Sequence, residues 1–337
     1  MSTSSRRLQM ADIARLAGVS TSTVSRALSH SPLVNQETRD RILDLARSLN
    51  YTINIGAQNL RLQQNRTVAV VIPIEQATRQ QLSDPFFLSM LGSLADALSD
   101  QGFDILVSRV DADQVDAAAA PFDGGRAIGV ILIGQGRHHD QLNRMAARGV
   151  PFVVWGAQLP QQLYTTVGGD NVTGGRLATE RLLAQGRRRI AFFGDTSLPE
   201  VEQRHRGYVE ALAAHGLSPD PQLHVASSFL PESGGQAVAE LARRGVAYDA
   251  LFASSDLLAM KAIHAMREQG KDVPADVAVV GYDDIELSSY FHPPLTTVAQ
   301  PRDVAARALV DALLVLVDGR SAPSVQLSTE LIVRASA

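Results

Sequence analysis

Residues 10–28, MADIARLAGVSTSTVSRAL, contain two short helical patterns separated by a turn. In the first pattern Ile13, Leu16 and Ala17 lie three and four residues apart, which places them on one face of a helix. Gly18 follows at the position where a left-handed residue commonly ends a helix. Two helical patterns joined by a loop of about three residues have the spacing of a helix-turn-helix.

The second and third helices extend this pattern into a small bundle. Ser20 is a good N-cap for the second helix, whose apolar stripe is Val24, Ala27 and Leu28. A third segment begins near Asn35, another good N-cap. It carries apolar residues at helical spacing: Ile42, Leu45, Ala46 and Leu49. Three short helices with one shared core are therefore predicted.

The polar face of the second helix is suited to contact DNA. It presents short or donor-rich side chains: Thr21, Ser22, Ser25 and Arg26. In a major groove, arginine can bond guanine edges or phosphate, and hydroxyls can bond bases or backbone. The alternative is an ordinary solvated helix face, because many such faces have the same composition.

Charge is distributed unevenly along the 337 residues. Residues 1–66 contain nine Arg, no Lys and four acids, for a charge of 9 − 4 = +5. The remainder has 31 − 9 = 22 bases and 35 − 4 = 31 acids, for a charge of −9. A basic head on an acidic body is typical of a polyanion-binding module fused to a second domain, although chance clustering of arginines gives the same numbers.

Composition excludes several classes of protein. The chain has no cysteine, which excludes disulfide scaffolds, thiolate zinc sites and cysteine nucleophiles, and it is 45% hydrophobic. The N-terminus lacks the apolar core of a secretory signal, and no run approaches the ~18–20 apolar residues of a membrane span. We therefore expect a cytoplasmic globular protein of two or three domains, without a membrane partner.

From residue 67 onward, short apolar runs alternate with amphipathic segments. The predicted strands are 68–72, 104–107, 128–133, 151–155, 189–193, 250–253 and 277–281. The predicted helices are 86–101, 140–148, 171–185, 201–214, 233–244 and 256–269. Apolar strands alternating with helices indicate doubly wound α/β layers, and the length of this part suggests two of them.

The motifs of both parts resemble the lactose/galactose-repressor (LacI/GalR) family of transcriptional regulators. In the head the resemblance runs without gaps through residues 10–28 and continues at 34–39 and 49–51. In the body it rests on four motifs: Asp170-Asn171-x-x-Gly174-Gly175, Arg204-x-x-Gly207-Tyr208, Val280-Gly281-Tyr282-Asp283-Asp284 and 293–298. It implies an N-terminal three-helix helix-turn-helix head plus hinge, followed by a two-lobed, periplasmic-binding-protein-like, doubly wound α/β core.

This resemblance also implies the domain boundaries. We expect the head at 1–52, the hinge helix and linker at 53–66, and the effector-binding and dimerisation core at 67–337. Lobe 1 would span about 67–166 and 298–330, and lobe 2 about 167–297. Three strands would cross between the lobes, near Val167, near 295–297 and within 325–333.

By resemblance, the DNA-binding residues comprise the second helix and a hinge that enters the minor groove. They are Thr21, Ser22, Thr23, Ser25, Arg26, Asn54, Ala57 and Leu60. Leu60 would be the apolar wedge that unstacks a base step and bends the DNA. The chain departs from the family pattern at Ile53, where proline is usual, and Gly56 costs about 1 kcal/mol of helix propensity relative to alanine.

The resemblance places an effector site between the lobes, where strand carboxyl ends meet. The residues carried over are Asp84, Phe86, Trp155, Asn171, Arg204, Ser255 and Asp283. Trp155 could instead pack in the core, and Asp283 could instead share helix capping with Asp284. Ser255 replaces the family's asparagine and Gly156 a polar residue, which suggests room for a disaccharide or glycoside.

We therefore expect a ligand-responsive, sequence-specific DNA-binding repressor of carbohydrate-utilisation genes, associated with the nucleoid. A homodimer would bind a palindromic operator, as two-fold symmetry requires. With no leucine-heptad extension before Ala337, we expect dimers and not tetramers. Alternatives are a nucleobase, amino-acid or phosphorylated effector, or a sugar sensor that acts through protein partners.

Other patterns do not indicate an enzyme, a cofactor or a metal site. There is no Walker loop, metal-spaced histidine pair or nucleophile elbow, and Gly134-x-Gly136 lacks the third glycine of a dinucleotide-binding loop. We interpret the adjacent His138 and His139 as a solvated turn, and the arginines at 187–189 as a charged surface edge.

Overall fold

The computed structural model describes residues 9–28, 31–49, 65–75, 82–230 and 232–337. The chain divides into two units, 1–65 and 66–337, each with its own hydrophobic core. None of the helices within the described ranges is long and apolar enough to cross a membrane.

The first unit contains α1 (Met10–Ala17), α2 (Thr21–Leu28) and α3 (Gln36–Ser48). The predicted helix ends are confirmed. Gly18 is left-handed, with a φ of 65°. The Ser20 hydroxyl accepts a hydrogen bond from the Thr23 backbone N–H (3.2 Å), and the Asn35 amide oxygen accepts one from the Thr38 N–H (2.9 Å). These bonds satisfy amide donors that a helix start leaves unpaired.

The core of this bundle differs from the prediction at one position of α1. Ile13 is fully buried and Ala17 nearly so, but Leu16 is 54% exposed. Ala14, only 4% exposed, packs inward instead. Ala14 and Leu16 flank Ile13 on opposite sides of the helix, and α2 and α3 cover only the Ala14 side.

The second unit has two six-stranded sheets. In the first sheet the order is β2-β1-β3-β4-β5-β11. The strands are β1 (Thr67–Ile74), β2 (Asp104–Asp111), β3 (Val130–Ile133), β4 (Phe152–Trp155), β5 (Thr165–Gly169) and β11 (Val325–Leu327). Every pairing in it is parallel.

The second sheet repeats this order as β7-β6-β8-β9-β10-β12. Its strands are β6 (Ile190–Phe193), β7 (His224–Val225), β8 (Ala250–Ala253), β9 (Ala278–Asp283), β10 (Thr296–Ala299) and β12 (Glu330–Ile332). Only β12 runs antiparallel to its neighbour within the described residues. The same doubly wound order in both sheets confirms the predicted two-lobed α/β core.

Helices cover both faces of each sheet. The first sheet lies between α4 (Pro85–Asp100) with α12 (Arg302–Val317) on one face and α6 (His139–Ala147) with a 3₁₀ segment (Ala112–Ala119) on the other. The second lies between α9 (Ser233–Arg244) with α10 (Asp256–Glu268) and α7 (Asn171–Ala184) with α8 (Pro199–Ala214). Covering both faces buries every residue of strands such as β3 and β8, which is why they read as continuous apolar runs.

The remaining helical elements are short. They are α5 (Ala120–Asp123), α11 (Leu287–Tyr290) and a 3₁₀ turn (Pro221–Leu223). The chain passes between the sheets three times: after β5, after β10, and between β11 and β12. Sequence neighbours at each passage, such as Gly169 and Asn171, therefore belong to different lobes.

Candidate functional site

A cleft lies where strand carboxyl ends of both sheets meet. It is lined by residues that follow β1, β3, β6 and β8, including Glu75, Gly134, Asp195 and Ser255. In each sheet the strand order reverses between these strands, and such a switch point is where open α/β sheets bind ligands. About 1250 Å³ of space free of protein atoms lies here, counted to the open mouth.

Six of the seven predicted effector residues line this cleft. They are Asp84, Phe86, Trp155, Arg204, Ser255 and Asp283. The seventh, Asn171, is 2% exposed and is not among the lining residues. The residues carried over from the family therefore locate the cleft, but Asn171 does not line it.

Arg204 is held in position from three sides. Its Nε donates to the Asn171 side-chain oxygen (2.9 Å) and its Nη1 to the Ser254 carbonyl (2.6 Å). The guanidinium carbon lies 3.7 Å from the centre of the Tyr282 ring, within cation–π range. Asn171 thus orients Arg204, and Arg204, only 6% exposed, faces the cleft with a fixed geometry.

Asp283 faces the cleft at the end of β9. Its φ of 110° is unusual for a residue with a side chain, and Gln300 Nε2 donates to its carboxylate (2.6 Å). Burial raises the pKa of Asp283 to about 8. Asp284 instead forms an ion pair with Arg334 (2.7 Å), and neither carboxylate caps α11. The capping alternative is therefore excluded.

Asp84 and Ser255 combine helix capping with a place in the cleft wall. Asp84 accepts a hydrogen bond from the Phe86 N–H (2.9 Å) at the start of α4, and burial raises its pKa. Ser255 accepts one from the Leu258 N–H (3.3 Å) at the start of α10. Each side chain is thereby fixed before any ligand arrives.

Two of the predicted residues contribute aromatic rings to the apolar part of the wall, which also includes Phe87 and Phe229. Trp155 and Phe86 have ring centroids 6.4 Å apart, and both line the cleft. Trp155 is 6% exposed and also packs in the core beneath the first sheet. The sequence allows either core packing or a cleft position for Trp155, and in the structure Trp155 has both.

The expectation that Gly156 leaves room for ligand is wrong. A Cβ placed there would meet the Gln135 side-chain oxygen at 2.8 Å, so the Gln135 side chain occupies that space. Gln135 Nε2 donates to the Tyr164 hydroxyl (2.6 Å), while its buried oxygen has no hydrogen-bond partner among the described residues.

Sequence reasoning missed most of the charged groups of the cleft. Its lining also contains Glu75, Asp113, Arg137, Asp195 and Glu200. Three of them, Glu75, Arg137 and Asp195, follow β1, β3 and β6 within four residues. The rule that ligand groups follow strand carboxyl ends would have identified these three. Burial also raises the pKa of Glu200.

The two adjacent histidines do not form a solvated turn. His138 precedes the first residue of α6, and its side chain contacts Asp113 (3.1 Å) without capping the helix. His139 is partly buried against the Tyr164 hydroxyl (2.8 Å). Within the described ranges, no group of three or more His, Asp or Glu side chains could hold a metal ion.

The arginines at 187–189 form a surface edge as predicted, where two of them bond neighbouring loops. Arg187 donates to the Pro274 carbonyl (2.6 Å). Arg189 Nε donates to the Ala247 carbonyl (2.6 Å).

In the head, α2 presents the predicted polar face. Thr21, Ser22 and Arg26 are exposed, and Thr23 and Ser25 are half-buried. Ser20 Oγ lies 2.8 Å from both the Ser22 and the Thr23 hydroxyl oxygens, which holds these side chains against the helix start. The predicted hinge residues Asn54, Ala57 and Leu60 lie outside the described residues.

Comparisons with protein families agree with this architecture. Residues 9–54 match the bacterial regulatory proteins of the lacI family, and residues 179–337 match the periplasmic binding protein-like domain. The chain is 34% identical to the HTH-type transcriptional regulator CelR of Thermobifida fusca, over 98% of both chains. It is 31% identical to the HTH-type transcriptional repressor CytR of Escherichia coli strain K12, over 97% of this chain and 95% of that protein.

Solved structures show the same likeness. A CelR–cellobiose complex superimposes with a TM-score of 0.71 at 32% identity, covering 98% of this chain and all of that one. A lac repressor dimer bound to operator and the anti-inducer ONPF gives a TM-score of 0.87 at 26% identity, covering 98% and 99%. The chain therefore belongs to the LacI family of ligand-responsive, DNA-binding transcriptional regulators, which are not enzymes.

Proposed function

We propose that this regulator represses carbohydrate-utilisation genes and is controlled by an uncharged disaccharide or glycoside in the cleft. Two copies bind a palindromic operator on the nucleoid through Thr21, Ser22, Thr23, Ser25 and Arg26, with Asn54, Ala57 and Leu60 in the minor groove. The effector contacts the six cleft-lining residues named above, and Asn171 acts through Arg204.

The observation that carries this proposal is the combination of fixed polar groups and an aromatic wall. Arg204 and Asp283 offer a donor and a carboxyl group held by protein hydrogen bonds, and Trp155 and Phe86 offer apolar faces. A sugar has hydroxyls at its edges and C–H groups on its faces, so it complements both surfaces. A few placed polar groups in an apolar pocket are the usual basis of small-molecule specificity.

The charge of the cleft favours an uncharged effector over a phosphorylated one. Six carboxyl groups line it, and five remain without Asp283, whose pKa burial raises to about 8: Glu75, Asp84, Asp113, Asp195 and Glu200. The two arginines of the wall, Arg137 and Arg204, already donate to protein oxygens. A phosphate would therefore face excess negative charge and would have to displace existing bonds to reach a cation.

The relatives support the same class of effector. The CelR structure is described as a complex with cellobiose, a neutral disaccharide, and that protein matches this chain along almost its whole length. Binding in the cleft would favour one arrangement of the lobes and thereby change operator affinity. The required coupling is about 1–3 kcal/mol, which corresponds to roughly 5–150-fold in affinity.

Operator binding with a panel of effectors tests the proposal. Fluorescence anisotropy would measure the affinity of the full chain for palindromic DNA from its own promoter. Cellobiose, other disaccharides, glucose 6-phosphate, adenosine and amino acids would be added in turn. We expect a neutral disaccharide to change operator affinity by roughly 5–150-fold, and we expect glucose 6-phosphate, adenosine and the amino acids to have no effect.

Matched variants identify the site of this response. Arg204→Ala should abolish the response to sugar. It should keep operator binding in the absence of sugar, because Arg204 lies in the second unit and not in the DNA-binding head. Arg148→Ala, which removes an exposed arginine of lobe 1 paired with Asp123 (2.6 Å), should respond like the wild type. A response only to a purine, an amino acid or a phosphate would refute the sugar assignment, and failure to bind promoter DNA would refute operator binding.

A further inference from the structure

We propose that Arg137 is a positioning residue that latches the two lobes together across the cleft. Arg137 and Glu75 follow β3 and β1 of lobe 1, whereas Asp195 and Ser197 follow β6 of lobe 2. These four side chains form the latch. It sets the balance between closed and open lobes before any effector binds.

Each part of the Arg137 guanidinium has a partner. Nε donates to the Ser197 hydroxyl (2.6 Å) and Nη1 to the Glu75 carboxylate (3.0 Å). Nη2 donates to the Asp195 carboxylate. The forked shape of arginine therefore joins an acid of its own lobe to an acid and a hydroxyl of the other.

The lobe 2 side of the latch is preorganised. The backbone N–H of Ser197 donates to Asp195 Oδ1 (3.0 Å), and its hydroxyl donates to the same atom (2.6 Å). Burial by itself would raise the pKa of Asp195, but the bonds from Ser197 and Arg137 outweigh it and lower the pKa. Asp195 is therefore ionised and oriented at neutral pH.

Two glycines bring Arg137 to this position. Gly134 and Gly136 follow β3 with φ values of 102° and 63°, a left-handed backbone that favours glycine. Gly134-x-Gly136 lacks the third glycine of a dinucleotide-binding loop, so the sequence gives it no ligand-binding role. The structure assigns it a backbone role, because the turn it allows directs Arg137 toward lobe 2.

The latch contains the ion pair that connects the lobes. Among the ion pairs between described residues, Arg137–Asp195 is the one that joins lobe 1 to lobe 2. The Arg137 and Asp195 side chains are 35% and 21% exposed, so salt screens the pair only in part. Because separating the lobes breaks this pair, the latch favours the closed state.

Trp155 provides a readout that needs no effector. It is the single tryptophan of the chain, it lines the cleft, and it is 6% exposed when the latch is formed. Acrylamide quenching of its fluorescence in the full chain therefore reports cleft opening. The result does not depend on the identity of the effector, so it is independent of the proposed function.

Arg137→Gln and Asp195→Asn should each increase the quenching constant roughly twofold or more, because the open state becomes more populated. The double variant should not exceed the single ones. The charge-exchanged variant Arg137→Asp with Asp195→Arg should return toward the wild type. Raising KCl from about 0.1 to 1 M should increase quenching in the wild type more than in Arg137→Gln.

Arg148→Gln is the matched control, because it removes an exposed arginine that pairs within lobe 1. It should quench like the wild type. Circular dichroism and the melting temperature would establish that each variant is folded. Wild-type quenching in folded Arg137→Gln and Asp195→Asn would overturn the latch, as would a charge-exchanged variant no closer to the wild type than the single variants.

Discussion

Two buried carboxyl groups titrate near neutral pH in the folded chain. Burial raises the pKa of Asp283 to about 8 and that of Asp256 to about 7, and the charge of Asp256 adds to the rise at Asp283. In the unfolded chain both would ionise near pH 4. Between these values the folded state binds more protons than the unfolded state. Stability from these groups is therefore fully present below about pH 4 and is lost as the pH rises toward 8.

Asp283→Asn should remove part of this pH dependence, because asparagine does not ionise. We expect the difference in melting temperature, wild type minus variant, to fall by several degrees from pH 5 to pH 8. One such group changes the free energy of unfolding by at most about 1.4 kcal/mol per pH unit. Differential scanning fluorimetry would measure it. Asp100→Asn, at an exposed site, is the control. A wild-type–variant difference that does not change with pH would contradict this assignment.

At the scale of elements, α7 and α8 pack closely enough to admit only glycine at their contact. A Cβ at Gly207 would meet the Val172 carbonyl oxygen at 2.0 Å, and one at Gly175 would meet the Arg204 carbonyl oxygen at 2.0 Å. The helix pair therefore fixes the position of Arg204, which lies one turn before Gly207. Gly175 and Gly207, which belong to the family motifs, therefore allow the close helix packing that positions one side of the cleft.

Gly207→Ala should push α8 away from α7, since the obstacle is backbone and cannot rotate aside. We expect a lower melting temperature and a roughly tenfold or greater loss of sugar affinity by calorimetry, because a displaced Arg204 loses its alignment. Gly235→Ala in α9 is the matched control. Its Cβ would meet only the Ala265 Cβ at 3.8 Å, so alanine should stabilise that helix by about 0.5–1 kcal/mol. Equal behaviour of the two variants would refute the packing argument.

Elements were predictable where one local pattern determines them. Strand β8 and helix α9 have the predicted bounds, because an apolar run and a helical stripe each extend over a whole element. The spacing on α1 predicts a buried Leu16, but Leu16 is exposed because the spacing does not show which side of α1 the other helices cover. The partners of Arg137 lie about 60 residues away along the chain, and no local sequence pattern predicts contacts over such distances.

At the scale of the whole molecule, charge separates the two units. The first unit, residues 1–65, carries eight arginines and four acids, for a net charge of 8 − 4 = +4, whereas residues 66–337 carry 23 − 31 = −8. DNA repels the acidic part, so attraction must come from the basic one. Each phosphate that a protein cation neutralises releases condensed counterions. Because of this release, the logarithm of the binding constant falls linearly with the logarithm of the salt concentration.

The salt dependence of operator binding should therefore reside in the head. For the full chain, we expect log affinity to fall steeply with log KCl concentration between about 50 and 300 mM. Arg26→Gln should reduce the magnitude of that slope by about one if Arg26 contacts phosphate, or relax sequence preference with the slope unchanged if it contacts a base. Arg148→Gln, in the acidic part, should change neither quantity. Anisotropy on cognate and scrambled DNA separates these outcomes, and Arg26→Gln binding both as the wild type does would contradict contact between α2 and DNA.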